Sequence, residues 1–207
     1  DDNMHGAYEM MVSSFARRAR TTRDKNAFAV FRNAFATAKT SDDVALISDS
    51  HINLNGDTVD NNVGSALSET TLFTAIQALL EMKAQDGEVD GSVGRVLLVS
   101  PNKYKLATEI TASTLRSGTA NNDMNIYESK YGIRVLSSPY LGTAAGGTDA
   151  AWFLLGDNHT IMRFVRQAVQ TALVDWTISR NNNYVYKGEF REVVGAISFE
   201  GIVGSAT

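Results

Sequence analysis

Apolar residues first recur at helical spacing at Tyr8, Met11, Phe15 and Ala19, and again at Ala27, Phe31, Ala34, Phe35 and Ala38, with charged residues on the other face. The pattern predicts one long amphipathic helix from about Ala7 to Ala38, roughly 45 Å at a 1.5 Å rise per residue. Thr21 and Thr22 mark a break point within it, because adjacent β-branched residues lower helix propensity. A helix of that length must lie across a broad body or bridge two.

Between Thr40 and Leu67 the chain turns polar, with one apolar word from Val44 to Ile47. Asn53, Asn55, Gly56, Asp57, Asp60, Asn61 and Asn62 read as successive turns, since Asn and Asp bond to nearby main chain and tolerate left-handed backbone. Ser68 is a good N-cap with Glu69 in the first turn. Leu72, Ala75, Ile76, Leu79 and Leu80 then give the buried stripe of a helix that ends before Gly87. Val96 to Val99 reads as a strand buried on both faces, and Pro101 ends it and opens a helix carrying Tyr104, Ala107, Ile110 and Leu115.

After Ser117 the character of the chain changes, and from Ile161 onward strands dominate. Asn121, Asn122, Asp123 and Asn125 form a second turn cluster, Ile133 to Leu136 reads as a strand, and Gly142 to Gly147 as a flexible loop before a strand from Trp152 to Leu155. Arg163 to Ile178 and Tyr184 to Val194 flank the polar turn Asn181 to Asn183, which predicts a long hairpin, and Ala196 to Val203 reads as a final apolar strand. No repeat of fixed period appears, and helices and strands mix without regular alternation. The fold class is therefore α+β rather than a doubly wound sheet.

Composition narrows the function classes. At 207 residues, 43% hydrophobic and 20% charged, the chain can bury a sizeable core as one large domain or two small ones. It has no cysteine, which excludes disulfides, thiolate nucleophiles and Cys-ligated zinc. No apolar run approaches the roughly 20 residues of a membrane span, and the start lacks the basic and apolar regions of a signal peptide. The first residue is Asp1 rather than Met, as expected of a processed or partial chain. The net charge of −4 argues against a dedicated nucleic-acid binder. A local exception is the basic group Arg17, Arg18, Arg20, Arg23 and Lys25, which reads as a solvated helix face or as a stripe facing DNA or an acidic neighbour.

The catalytic signatures do not assemble. His5, His51 and His159 lie far apart with no HExxH spacing, there is no Gly-Lys dipeptide for a phosphate loop, and GxGxxG is absent. Asp49, Ser50 and His51 are triad residue types, yet alternate residues of a strand face opposite ways and no GxSxG elbow accompanies them. Asp86, Glu88, Asp90 and Gly91 imitate half of a calcium loop, with Leu97 where the bidentate Glu should stand. Asn158-His159-Thr160 matches a glycosylation sequon, which has meaning only on a secreted chain. Trp152, Trp176, Tyr184, Tyr186 and Phe190 fit core and cross-strand packing better than a base-stacking surface. No catalytic, cofactor-binding or metal residue is assigned.

The order of words from Leu46 to Leu106 carries more information than any of these motifs. LxSxSH at Leu46 to His51 is followed by the pair Asn61-Asn62, a helix opening Leu67-Ser68, Met82-Lys83 with a Gly-containing turn, and Leu97-Leu98-Val99-Ser100-Pro101 before an Ala-containing helix. This order resembles the major capsid proteins of tailed bacteriophages, most of all the Mu-type head-subunit branch, over nearly the whole chain. The resemblance implies a spine helix and long β-hairpin in a peripheral domain, residues 1–41 and 161–194, and an axial α/β domain, residues 42–160 and 195–207. It implies a non-enzymatic head subunit that assembles with copies of itself into pentamers and hexamers of an icosahedral shell around double-stranded DNA. DNA contacts would be non-specific. Scaffolding, protease and portal proteins would be assembly partners, with no membrane and no cofactor. Assembly would take place in the bacterial host cytoplasm, and the mature location would be the virion capsid. The loops Asn121 to Asn125 and Gly142 to Gly147 would be tips at the capsomer axis. The family's N-terminal arm and extended loop precede the spine helix and are expected to be missing here, with assembly impaired accordingly. Within the same fold, an encapsulin-type nanocompartment shell is the alternative; outside it, a hydrolase using Asp49 and His51.

Overall fold

The described residues of the computed structural model are 5–113, 124–174 and 185–207. The expected side-chain positions of Tyr8, Leu115 and Trp176, the Asn121, Asn122 and Asp123 part of the second turn cluster, and the Asn181 to Asn183 turn with Tyr184 lie outside them. Helices and strands are mixed, compatible with the α+β class.

The first helix, α1 (His5–Arg32), runs without a break. At Thr22 the side-chain Oγ1 donates back to the Arg18 carbonyl at 3.0 Å, so the hydroxyl is accommodated on the helix surface and the expected interruption at Thr21 and Thr22 is absent. The helix stops at Arg32, short of Ala38, because the Asn33 carbonyl gathers the amides of Ala36, Thr37 and Ala38 into a tight turn. At 28 residues α1 is about 42 Å long.

Strands β1 (His51–Ile52) and β2 (Thr58–Val59) form a short antiparallel pair closed by Asn53, whose side-chain oxygen accepts from the Asn55 and Asp57 amides at 3.1 and 2.8 Å. The next helix, α2 (Glu69–Leu80), starts where Ser68 predicted. The Ser68 hydroxyl accepts from the Thr71 amide while the Thr71 hydroxyl accepts from the Ser68 amide, a reciprocal capping box. Its buried face is Leu72, Ala75, Ile76 and Leu79; Leu80 is 37% exposed, one position round from that stripe.

The main sheet has the order β4 (Arg134–Ser137), β3 (Gly94–Val99), β5 (Trp152–Gly156), β8 (Ile202–Ser205). Strand β3 is parallel to β4 and antiparallel to β5, and β5 is antiparallel to β8. Pro101 opens a short 3-10 turn that leads into α3 (Tyr104–Ala112), and only Ala107 and Thr111 of α3 are fully buried. On one face of the sheet, Leu97, Val99, Trp152, Leu154 and Val203 pack with the α2 stripe, Ala107 and Phe199 in one core. On the other, Phe31 and Phe35 lie 5.2 and 5.5 Å from the Phe153 ring. With both faces covered, β5 is buried at every position. Gly204 of β8 is required there, since a Cβ would come within 2.8 Å of the Phe153 ring.

Strands β6 (Ile161–Val174) and β7 (Val185–Ala196) form a separate two-stranded ribbon. Ala196 thus belongs to β7, and the expected strand Ala196 to Val203 is replaced by a turn followed by β8, because Thr160 Oγ1 accepts from the Ser198 amide and donates to the Ser198 carbonyl. The Gly142 to Gly147 segment holds a 3-10 turn, Thr143–Ala145, whose start is gripped by the Asp149 carboxylate. The chain divides into two compact units, 1–27 with 163–194 and 28–162 with 195–207. No helix among the described residues is long and apolar enough to cross a membrane.

Candidate self-association surfaces

In the first unit the contacts between α1 and the ribbon are few and specific. Phe15 meets Tyr186 edge-on at 5.7 Å, and Gly188 lets that ring approach, since a Cβ there would fall within 2.7 Å of it. Arg23 Nε donates to both oxygens of Glu192 at 3.1 and 3.0 Å, tying the helix to β7. That hydrogen bond, outweighing the effect of burial, raises the Arg23 pKa and holds its charge. Around the ion pair lies a cleft of about 400 Å³ with Phe15, Ala19 and Val169 on its apolar walls and Arg20 and Arg163 at its margin.

Much apolar surface in this unit stays in solvent. Met10 and Met11 are 74% and 65% exposed, so Met11 does not join a buried stripe as its spacing predicted; the stripe has no apolar partner there among the described residues. Phe164, Val165, Val185 and Val193 of the ribbon are exposed as well. Arg17, Arg18, Arg20 and Lys25 are exposed and form no ion pair among the described residues, whereas Arg23 is committed to Glu192.

In the second unit the sequence singled out His51, and the structure gives it a different partner. His51 is fully buried, its ring stacked on Phe199 at 4.5 Å, and Nδ1 contacts Asp42 Oδ2 at 2.7 Å. Burial pushes the Asp42 carboxyl up, but hydrogen bonds from Thr40, His51 and the Val44 amide outweigh it and hold it below its ordinary value. Asp49 and Ser50 are exposed, and the Ser50 hydroxyl is engaged with Ser48 at 2.9 Å. His51 Nε2 is buried and meets no polar atom among the described residues, so no hydroxyl is placed against a base. The hydrolase constellation is therefore not brought together. Asp42 was missed because nothing local marks it as the partner of a residue nine positions on; Glu192 was missed because it reads as an ordinary exposed ribbon residue.

The acidic turn after α2 is also occupied by its own chain. Asp86 Oδ1 accepts from the Glu88 amide at 3.1 Å, and Asp90 Oδ2 accepts from Asn158 at 2.9 Å. No cluster of three or more metal-ligating side chains occurs among the described residues. Trp152 is buried with its indole N–H donating to the Ser65 carbonyl at 3.0 Å, and Tyr186 packs on Phe15, so both aromatics serve packing.

What this arrangement offers is surface. A helix and ribbon present apolar and basic side chains, beside a mixed unit with a well-packed core. A family model described as phage capsid protein matches residues 1–205. No curated protein sequence matches the chain significantly.

Proposed function

Since the chain belongs to the phage capsid protein family, a structural class whose members associate into the virion shell, we propose that it is the major capsid (head) subunit of a tailed phage or prophage. In this reading it forms pentamers and hexamers that close around double-stranded DNA. Residues 1–41 and 161–194 make the peripheral domain and 42–160 with 195–207 the axial domain. The loop Gly142 to Gly147 lines the capsomer axis, where small polar side chains let several copies converge without like-charge repulsion. Scaffolding, protease and portal proteins act on it during assembly, and DNA is met through non-specific contacts.

The observation that carries the reading is the helix-and-ribbon unit itself, compact in its own right yet presenting Met10, Met11, Phe164 and Val193 to solvent. Apolar side chains on a monomer's surface are stabilised by covering them, and in a closed assembly each copy meets several neighbours, so modest interfaces sum through multivalency. No chemical step is needed. Negative-stain microscopy and sedimentation of the full-length product test this: shells or rings of five and six are expected, and a monomer that persists at high concentration overturns it.

A further inference from the structure

The two units carry opposite charge. Residues 1–27 and 163–194 hold ten Lys and Arg against seven Asp and Glu, a net +3; residues 28–162 and 195–207 hold nine against sixteen, a net −7. On the first unit, the cleft between α1 and the ribbon is lined by Phe15, Ala19 and Val169 and by Arg20 and Arg163, neither of these arginines in an ion pair among the described residues; Glu192 in the same lining is taken up by Arg23, which leaves Asp24 as the one acid set against Arg20 and Arg163.

On the second unit, two turns are fastened into one projection. The Leu54 amide donates to the Gln85 carbonyl at 2.9 Å, the Asn55 side chain donates to the Asp86 carbonyl at 3.0 Å, and Lys83 pairs with Asp57 at 2.7 Å. These bonds hold Leu54 at the surface, 79% exposed; Val89 of the same turn region is 62% exposed, and the carboxylates of Asp86 and Glu88 are exposed and in no ion pair among the described residues. A fixed apolar tip flanked by acids is the chemical complement of an apolar cleft flanked by arginines.

We infer that the projection at Leu54, Asp86 and Glu88 of one copy docks in the α1–ribbon cleft of a second copy, with Leu54 on the apolar wall and the carboxylates meeting Arg20 and Arg163. The inference rests on the capsid reading and names which surfaces of two copies meet. The opposite net charges bring the copies together and set their register, while the pre-ordered turns keep the ordering cost of the contact low.

A charge-exchange experiment on the full chain tests it, with association measured by sedimentation at several salt concentrations. R20E with R163E on one protein, and D86K with E88K on another, are each expected to weaken self-association by about tenfold or more, most strongly at low salt. Mixing the two reversed proteins is expected to restore association, because one retains an acidic projection and the other a basic cleft. Leu54→Ser, at an exposed position that leaves the fold intact, is expected to weaken it without changing the melting temperature. If the parent assembles and the reversals or the mixture behave otherwise, this inference fails and the capsid reading stands. If the parent stays monomeric, both fail. If R20E with R163E loses only affinity for a DNA duplex while self-association is untouched, the arginines belong to nucleic acid and the inference is overturned.

Discussion

Replacing Asn61 by Ala should be among the more damaging single changes in the second unit, although the sequence offers it as one of several loop asparagines. Asn61 is buried; its Oδ1 accepts from the Ser48 amide at 2.8 Å and its Nδ2 donates to the Leu46 carbonyl at 2.8 Å. Its main chain is bonded too, the amide to the Ser48 carbonyl and the carbonyl to the Gly204 amide of β8. Alanine keeps the main-chain bonds and removes both side-chain ones. Each of the two lost bonds costs about 0.5–1.5 kcal/mol net, and the Leu46 carbonyl, stranded inside, adds about 1–3 kcal/mol, for roughly 2–6 kcal/mol in all. At about 2–4 °C per kcal/mol for a chain of this size, the melting point should fall by roughly 4–24 °C. With Trp176 changed to Phe, Trp152 is the one remaining indole and reports on the second unit. Asn61→Asp separates the two bonds. It keeps an acceptor for Ser48 but turns a carboxylate oxygen toward the Leu46 carbonyl, which raises its folded pKa above the unfolded value of about 3.9. Its deficit is then full at neutral pH and shrinks as pH falls through that raised value. An Ala variant melting within about 1 °C of the parent, the scale of an exposed-site change, would refute the bracketing role of Asn61.

Ser68→Ala removes the capping box of α2 and should cost about 1 kcal/mol in urea denaturation, while Ser68→Asp restores most of it. The Asp149 carboxyl is held below its ordinary value by the Thr143 amide and then by the Thr143 hydroxyl, so its contribution is present above about pH 4 and is lost as pH falls through the lowered value. Asp149→Asn should therefore flatten the acid limb of a stability-against-pH curve, its deficit being full at neutral pH and vanishing toward the acid end. Arg23→Gln breaks the tie between α1 and β7, and hydrogen exchange should quicken in Val185 to Val194 while Gly94 to Val99 is unaffected.

The elements that could be read from the residues are those whose signals are local. Ser68 bonds three residues on, the α2 stripe repeats within four, and Leu97 to Val99 and Trp152 to Leu155 are apolar runs bounded by Pro and Gly. Where the outcome depended on a distant partner, the reading fell short. Asn61 looks like Asn62, yet only Asn61 is captured by Ser48 and Leu46, whereas Asn62 makes the expected local turn to Gly64. Met11 and Phe15 share one helical stripe, but Tyr186 comes only to Phe15, so one is half-covered and the other is not. Alanine content alone would have carried α1 on to Ala38; the Asn33 carbonyl stopped it. The surfaces that carry the proposed function had no motif to announce them, since complementarity is a property of two folded faces and is not written in either one's sequence.

Strand β8 pairs with β5, and the Asn61 to Val63 segment is bonded onto it, but in chain order β8 comes after both strands of the ribbon. During synthesis, then, the nascent second unit emerges from the ribosome with one sheet edge open and cannot finish folding until β6 and β7 have been translated. Acquiring this strand late delays maturation of one body until the other is made, so a polypeptide released early would expose the β5 edge to strand pairing with other molecules.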